Sequence, residues 1–83
     1  MHIIYTEYAE ETLIDRDISK VDVENSLLHP DEIVYGKQCR KIAHKIIGEK
    51  LLRVVFEVEP KAYIVITAYY THIERYMKNE NNF

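Results

Sequence analysis

Leu51-Leu52-Arg53-Val54-Val55-Phe56-Glu57-Val58, then Glu59-Pro60-Lys61, then Tyr63-Ile64-Val65-Ile66-Thr67-Ala68-Tyr69-Tyr70: this stretch decides the fold. Both runs are dense in β-branched and aromatic residues, and a proline turn separates them, which predicts an antiparallel pair of strands. Successive side chains of a strand point to opposite faces. Leu52, Val54, Phe56 and Val58 therefore share one side, with Arg53, Val55 and Glu57 on the other. In the second strand Ile64, Ile66 and Ala68 oppose Tyr63, Val65, Thr67 and Tyr69. One face is wholly apolar and has to be covered by another layer.

Working outward, Ile33-Val34-Tyr35 is a short strand ending at Gly36, and Cys39 to Ile47 is a longer one ending at Gly48-Glu49-Lys50. The covering layer comes from the N-terminal third. His2 to Tyr5 reads as a short strand, Thr6 offers an N-cap oxygen, and Glu7, Glu10 and Glu11 suit the first turns of a helix running to about Arg16. After a break at Ile18-Ser19, Ser19 followed by Asp22 caps a second helix from about Lys20. Val23, Leu27 and Leu28 form its apolar stripe, and His29-Pro30 ends it. Ile73 to Met77 predicts a last helical turn, before a polar tail at 78–83 that is expected to fray. The expectation is a single α+β domain over 1–83, with two short N-terminal helices on one face of a twisted antiparallel sheet of about four strands. Its core is Leu52, Val54, Phe56, Ile64 and Ile66 under Ala9, Leu13, Val23 and Leu27.

Composition bounds the rest. An 83-residue chain buries only about 60% of its unfolded surface, enough for one modest core. No apolar run approaches the roughly 20 residues of a membrane span, and the N-terminus lacks the pattern of a secretory signal, so no membrane partner and a cytoplasmic location are expected. Cys39 is the only cysteine, and His2, His29, His44 and His72 show no metal-ligand spacing, so neither a metal nor a cofactor is expected. The net charge of −3 conceals segregation: residues 1–36 carry −7 and residues 37–83 carry +4, concentrated in Lys37, Arg40, Lys41, Lys45, Lys50 and Arg53. One edge of the domain is thus locally basic, as a solvated hairpin or as an anion-binding surface.

Three segments carry a family resemblance: LIDRDISKVDVENSLLHPDEIV (13–34), KIIGEKLLRVVFE (45–57) and YIVITAYYTHIERY (63–76). Together they hold an R-x-I-S-x-x-D-V helix junction, a hydrophobic-x-x-P-x-x-hydrophobic turn, a G-x-x-L-R-V-V strand, and a V-x-T-A-Y strand followed by a basic-aromatic tail. In that order they resemble a family of small prokaryotic domains of unknown function grouped with RelE/ParE-like toxins. The resemblance implies a RelE/ParE toxin-like fold and a metal-independent endoribonuclease of the mRNA interferase type, giving 2',3'-cyclic phosphate products. It also implies RNA, on the ribosome or free, and a cognate antitoxin as partners; a homodimer is a further candidate. The family often has H-A-x-x-R in the first helix, whereas this chain has Tyr8-Ala9-Glu10-Glu11-Thr12; Arg16 at the junction is retained.

Such cleavage needs a base, an acid and cations around a phosphorane. Arg53, Lys45, Tyr69 and His72 are the candidate catalytic residues, expected to converge in one groove on the sheet face away from the helices. Arg40, Lys41, Arg75 and Tyr76 are the candidate RNA-binding residues, through phosphate contacts and base stacking. Each has a plainer reading. Arg53 could pair with Glu57, the lysines could guard an edge strand, and Arg75 and Tyr76 could close the sheet edge. His44 alternates with Ile42 and Ile46 and is read as a packed histidine. The alternative function is a non-catalytic protein-interaction module of the same fold.

Overall fold

The computed structural model describes residues 2–76. The elements run β1 (His2–Tyr5), α1 (Glu7–Asp15), α2 (Lys20–Leu28), β2 (Glu32–Tyr35), β3 (Lys41–Ile47), β4 (Lys50–Glu59), β5 (Ala62–His72) and α3 (Ile73–Tyr76). The sheet order is β1-β5-β4-β3-β2. The architecture is α+β, but the sheet has five strands and is mixed. β1 lies parallel to β5, from His2 opposite Ala62 to Tyr5 opposite Val65, while every other pairing is antiparallel. The expectation of about four antiparallel strands fails because β1 is separated from β2 by the two helices, which carry the chain across the sheet from one edge to the other.

Both expected N-caps form. Thr6 accepts from the Ala9 amide at 3.0 Å and Ser19 from the Asp22 amide at 3.1 Å. Between the helices, Asp17 takes a left-handed φ of 56°, Ile18 N–H donates to the Leu13 carbonyl (2.9 Å) and Asp17 N–H to the Ile14 carbonyl (3.2 Å). This is a Schellman closure with Asp in the usual glycine place, and it turns Ile18 into the core. Leu28, expected on the buried stripe, is exposed, because each further residue rotates about 100° around the helix and carries it past Leu27. The strand expected from Cys39 begins only at Lys41, since Gln38 and Cys39 hold φ near +60°, which no strand accommodates.

The core lies between the helices and one sheet face. Ala9, Leu13, Ile18, Val23 and Leu27 pack on Ala43, Leu52, Val54, Phe56, Val65 and Ala68. Ile64 and Ile66 do not join them. The β4–β5 register shifts between Val55 and Phe56: Val55 faces Thr67 but Phe56 faces Val65, leaving Ile66 as the extra residue of a bulge. Alternation carried back from Ala68 breaks there, so Val65 and Tyr63 take the core side. Val58, at the far end of the same face, is left half exposed. The final helical turn ends at Tyr76; Met77 and the tail expected to fray at 78–83 lie outside the described residues. Among the described residues no helix is long and apolar enough to cross a membrane.

Candidate functional site

The sheet face away from α1 and α2 carries one polar row that crosses four strands. Glu32 on β2 stands opposite His44 on β3, His44 opposite Arg53 on β4, and Arg53 opposite Tyr69 on β5. Directly opposed side chains are the closest neighbours a sheet offers, and here they are hydrogen-bonded in sequence. His44 Nδ1 lies 3.1 Å from Glu32 Oε2, Arg53 Nε donates to His44 Nε2 at 3.0 Å, and Arg53 Nη1 donates to the Tyr69 hydroxyl.

The proton on His44 follows from its partners. A guanidinium N–H can only donate, so Nε2 is the lone-pair nitrogen and Nδ1 carries the hydrogen toward the Glu32 carboxylate. His44 is 1% exposed. Burial lowers its pKa, the Glu32 hydrogen bond works against that, and the Arg53 charge adds to the lowering.

α3 folds back over this row. The Tyr76 ring lies 3.6 Å from the Arg53 guanidinium carbon and 6.1 Å from the His44 ring. On the other flank, the closure at Asp17 sends Arg16 to the edge of β5 that β1 leaves free. Its Nη1 donates to the Ala68 carbonyl at 2.9 Å, and its guanidinium carbon sits 5.9 Å from the Tyr69 ring centroid. Arg53 approaches the same ring at 5.5 Å. Two guanidinium groups thus share one tyrosine, and among the described residues neither has a carboxylate within ion-pair distance.

Burial raises the Tyr69 pKa against the pull of Arg53, while the hydrogen bond from Tyr69, with Arg53 and Arg75 nearby, lowers that of Tyr76. Tyr76 therefore ionises first and Tyr69 keeps its proton.

The expected convergence holds for Arg53 and Tyr69, joined by Tyr76, and fails for Lys45 and His72. Lys45 faces Leu52 on the helix side, where its ammonium donates to the His29 carbonyl (2.8 Å) and lies 3.8 Å from Asp31. The two-residue turn at Gly48-Glu49 sets this parity, since it puts Ile47 opposite Lys50 and fixes every β3–β4 pair behind it. Lys41 shares that side and sits over the Tyr35 ring at 5.7 Å. His72 is exposed opposite Lys50, with Arg75 nearby, away from the polar row. Arg40 pairs with Glu57 at 3.1 Å, two rows along the open face from Arg53. Arg53 does not pair with Glu57; it is committed to His44 and Tyr69.

Three residues of the cluster were missed in the sequence: Glu32, His44 and Arg16. The His44–Arg53 pairing was within reach, because counting back from the Gly48-Glu49 turn sets those two opposite each other. Among the described residues no group of three or more His, Cys, Asp and Glu side chains is placed to share a metal ion.

A family model described as a domain of unknown function (DUF4258) matches residues 5–70. The chain belongs to the DUF4258 family. That match takes in Arg16 and the whole row from Glu32 to Tyr69 and stops before the segment that brings Tyr76 over Arg53. No curated protein and no solved structure matches this DUF4258 chain.

Proposed function

We propose that the open face of the sheet holds an RNA phosphate at Arg53, and that the domain is a toxin-like, metal-independent endoribonuclease of RelE/ParE-like fold. One observation carries the reading. The Arg53 guanidinium, with the residue only 8% exposed, touches an imidazole, a phenol and an aromatic ring but no carboxylate among the described residues. Burying a charge without an opposite charge in contact is costly. Within the row the acid is Glu32, one imidazole away. A cation left in this condition, with Arg16 on the far side of Tyr69, suits an anion that arrives with the substrate.

In the proposed step the 2'-oxygen bonds to phosphorus as its proton passes to Tyr76, whose ionisation its neighbours favour. The bond from phosphorus to the 5'-oxygen breaks, and that oxygen takes a proton from Tyr69. Arg53 and Arg16 bear the extra negative charge between the two events. Two like groups with pKa values pushed apart are the usual arrangement for an acid and a base. A cognate antitoxin would act by covering this face, and the cytoplasm is the compartment in which such an enzyme meets mRNA.

The test is cleavage of single-stranded RNA in EDTA, with products ending in 2',3'-cyclic phosphate. Arg53→Ala should slow the reaction by about 100-fold or more. Tyr76→Phe, which keeps the ring over Arg53, should remove the rise in rate with pH. Wild-type protein that leaves RNA intact beside an active control nuclease would favour the second reading, a non-catalytic interaction module. A specific observation supports that reading: two Arg53 nitrogens are already donating and Tyr76 lies across the guanidinium.

A further inference from the structure

At the end of the sheet where β4 starts and β5 finishes, a cavity of about 280 Å³ is lined by Lys50, Tyr70, Thr71, His72 and Arg75. We propose that this cavity is a second phosphate site, which takes the phosphate next along the strand from the one at Arg53.

The lining is built by register. Lys50 and His72 stand directly opposite each other in the β4–β5 ladder, Thr71 precedes His72, and the turn of α3 brings Arg75 back to the same opening. It therefore holds an ammonium, a guanidinium, an imidazole and a hydroxyl, and no carboxylate. Tyr70 contributes its ring, because its hydroxyl reaches Asp22 at 3.3 Å. Neither Lys50, His72 nor Arg75 has an ion-pair partner among the described residues. An ammonium and a guanidinium that donate charged hydrogen bonds, with an imidazole and a hydroxyl beside them around one hollow, recognise an anion. The volume falls below the roughly 300–1,000 Å³ of pockets that enclose drug-sized ligands, which suits a phosphoryl group with its water.

Tyr76 ties this cavity to the polar row. Its ring has the Arg53 guanidinium at 3.6 Å and that of Arg75 at 6.0 Å, so the two guanidinium carbons are no further apart than about 10 Å. Arg53, Tyr76, Arg75 and Lys50 form a basic track around the end of the sheet, with an aromatic ring between the two anion positions. That is the alternation of cation and stacking platform that single-stranded nucleic acid uses. Only the identity of the phosphate as RNA rests on the function proposed above; the anion site itself does not.

The experiment follows the Thr71 and His72 amide signals by NMR. Inorganic phosphate at about 10 mM fills about nine-tenths of a site whose Kd is about 1 mM. The expected result is a saturable shift in wild type, absent with chloride at the same ionic strength. Lys50→Ala and Arg75→Ala, both at exposed positions, should each weaken phosphate about 10-fold, as loss of a charged hydrogen bond does. Signals that stay still, or that move as much in the Lys50→Ala/Arg75→Ala double variant, would overturn the site. Displacement of phosphate by a short oligouridylate identifies the ligand as a polynucleotide. Phosphate that binds but is not displaced overturns the RNA assignment and leaves the anion site standing.

Discussion

The two faces of this sheet are held by different physics. On the helix side, Ala43, Leu52, Val54, Phe56, Val65 and Ala68 pack on the apolar stripes of the helices. On the open side the middle of the sheet is a hydrogen-bonded row, Glu32 to Tyr69, sheltered by one turn of helix. Apolar contact is non-directional and scales with area removed from water, so the first face tolerates nothing missing. The second exchanges hydrogen bonds to water for hydrogen bonds within the protein, which nets little stability but fixes a cation in place. Stability is concentrated on one side and chemical potential on the other.

The largest stability effect that tests this contrast is Phe56→Ala, which should cost about 3–5 kcal/mol by urea denaturation, enough to unfold much of a domain this small. His44→Ala should cost about 1–3 kcal/mol, because it leaves the Arg53 Nε–H and the Glu32 carboxylate without their partner. An open-face variant as costly as Phe56→Ala would break the comparison.

His44 also sharpens the contrast through pH. Its folded pKa is lowered chiefly by burial, so between that value and the ordinary value of about 6.5 the unfolded chain binds more protons. Stability from this group is fully present above about pH 6.5 and is lost as pH falls toward the lowered value. Denaturation midpoints compared across that window should fall more steeply for wild type than for His44→Ala.

Tyr69→Phe removes one acceptor from Arg53 and should cost about 0.5–1.5 kcal/mol. The smallest effect belongs to Arg40→Ala. Its bridge to Glu57 joins two side chains each 37% exposed, and such pairs are worth about 0–1 kcal/mol, less in high salt.

The pattern of caps and apolar spacing was enough to place α1, α2, β4 and β5, because these depend on neighbours within a few residues. Thr6, Ser19 and Pro60 act locally, and each ended or began an element where expected. The helix stripe of Ala9, Leu13, Val23 and Leu27 was legible for the same reason. Arg53 and Tyr69 stood out as polar groups on the sheet face away from the helices. What Arg53 touches beyond its hairpin partner did not, since it depends on β5 and α3.

The bulge at Ile66 shows where the boundary lies. Counted from the Pro60-Lys61 turn without a bulge, Arg53 would face Ala68; the extra residue brings Tyr69 opposite it instead. Period-two alternation contains no signal for an inserted residue, because the insertion is chosen by how the β5 side chains fit beneath the helices. The sequence by itself determined the elements, their caps and a cation in mid-strand. Only the tertiary structure decided that β1 returns parallel to β5 at the far edge, that Arg16 reaches Tyr69 around that edge, and that Tyr76 lies over Arg53. Each of these joins elements distant in the chain, and such contacts are set by packing of whole elements rather than by local preference.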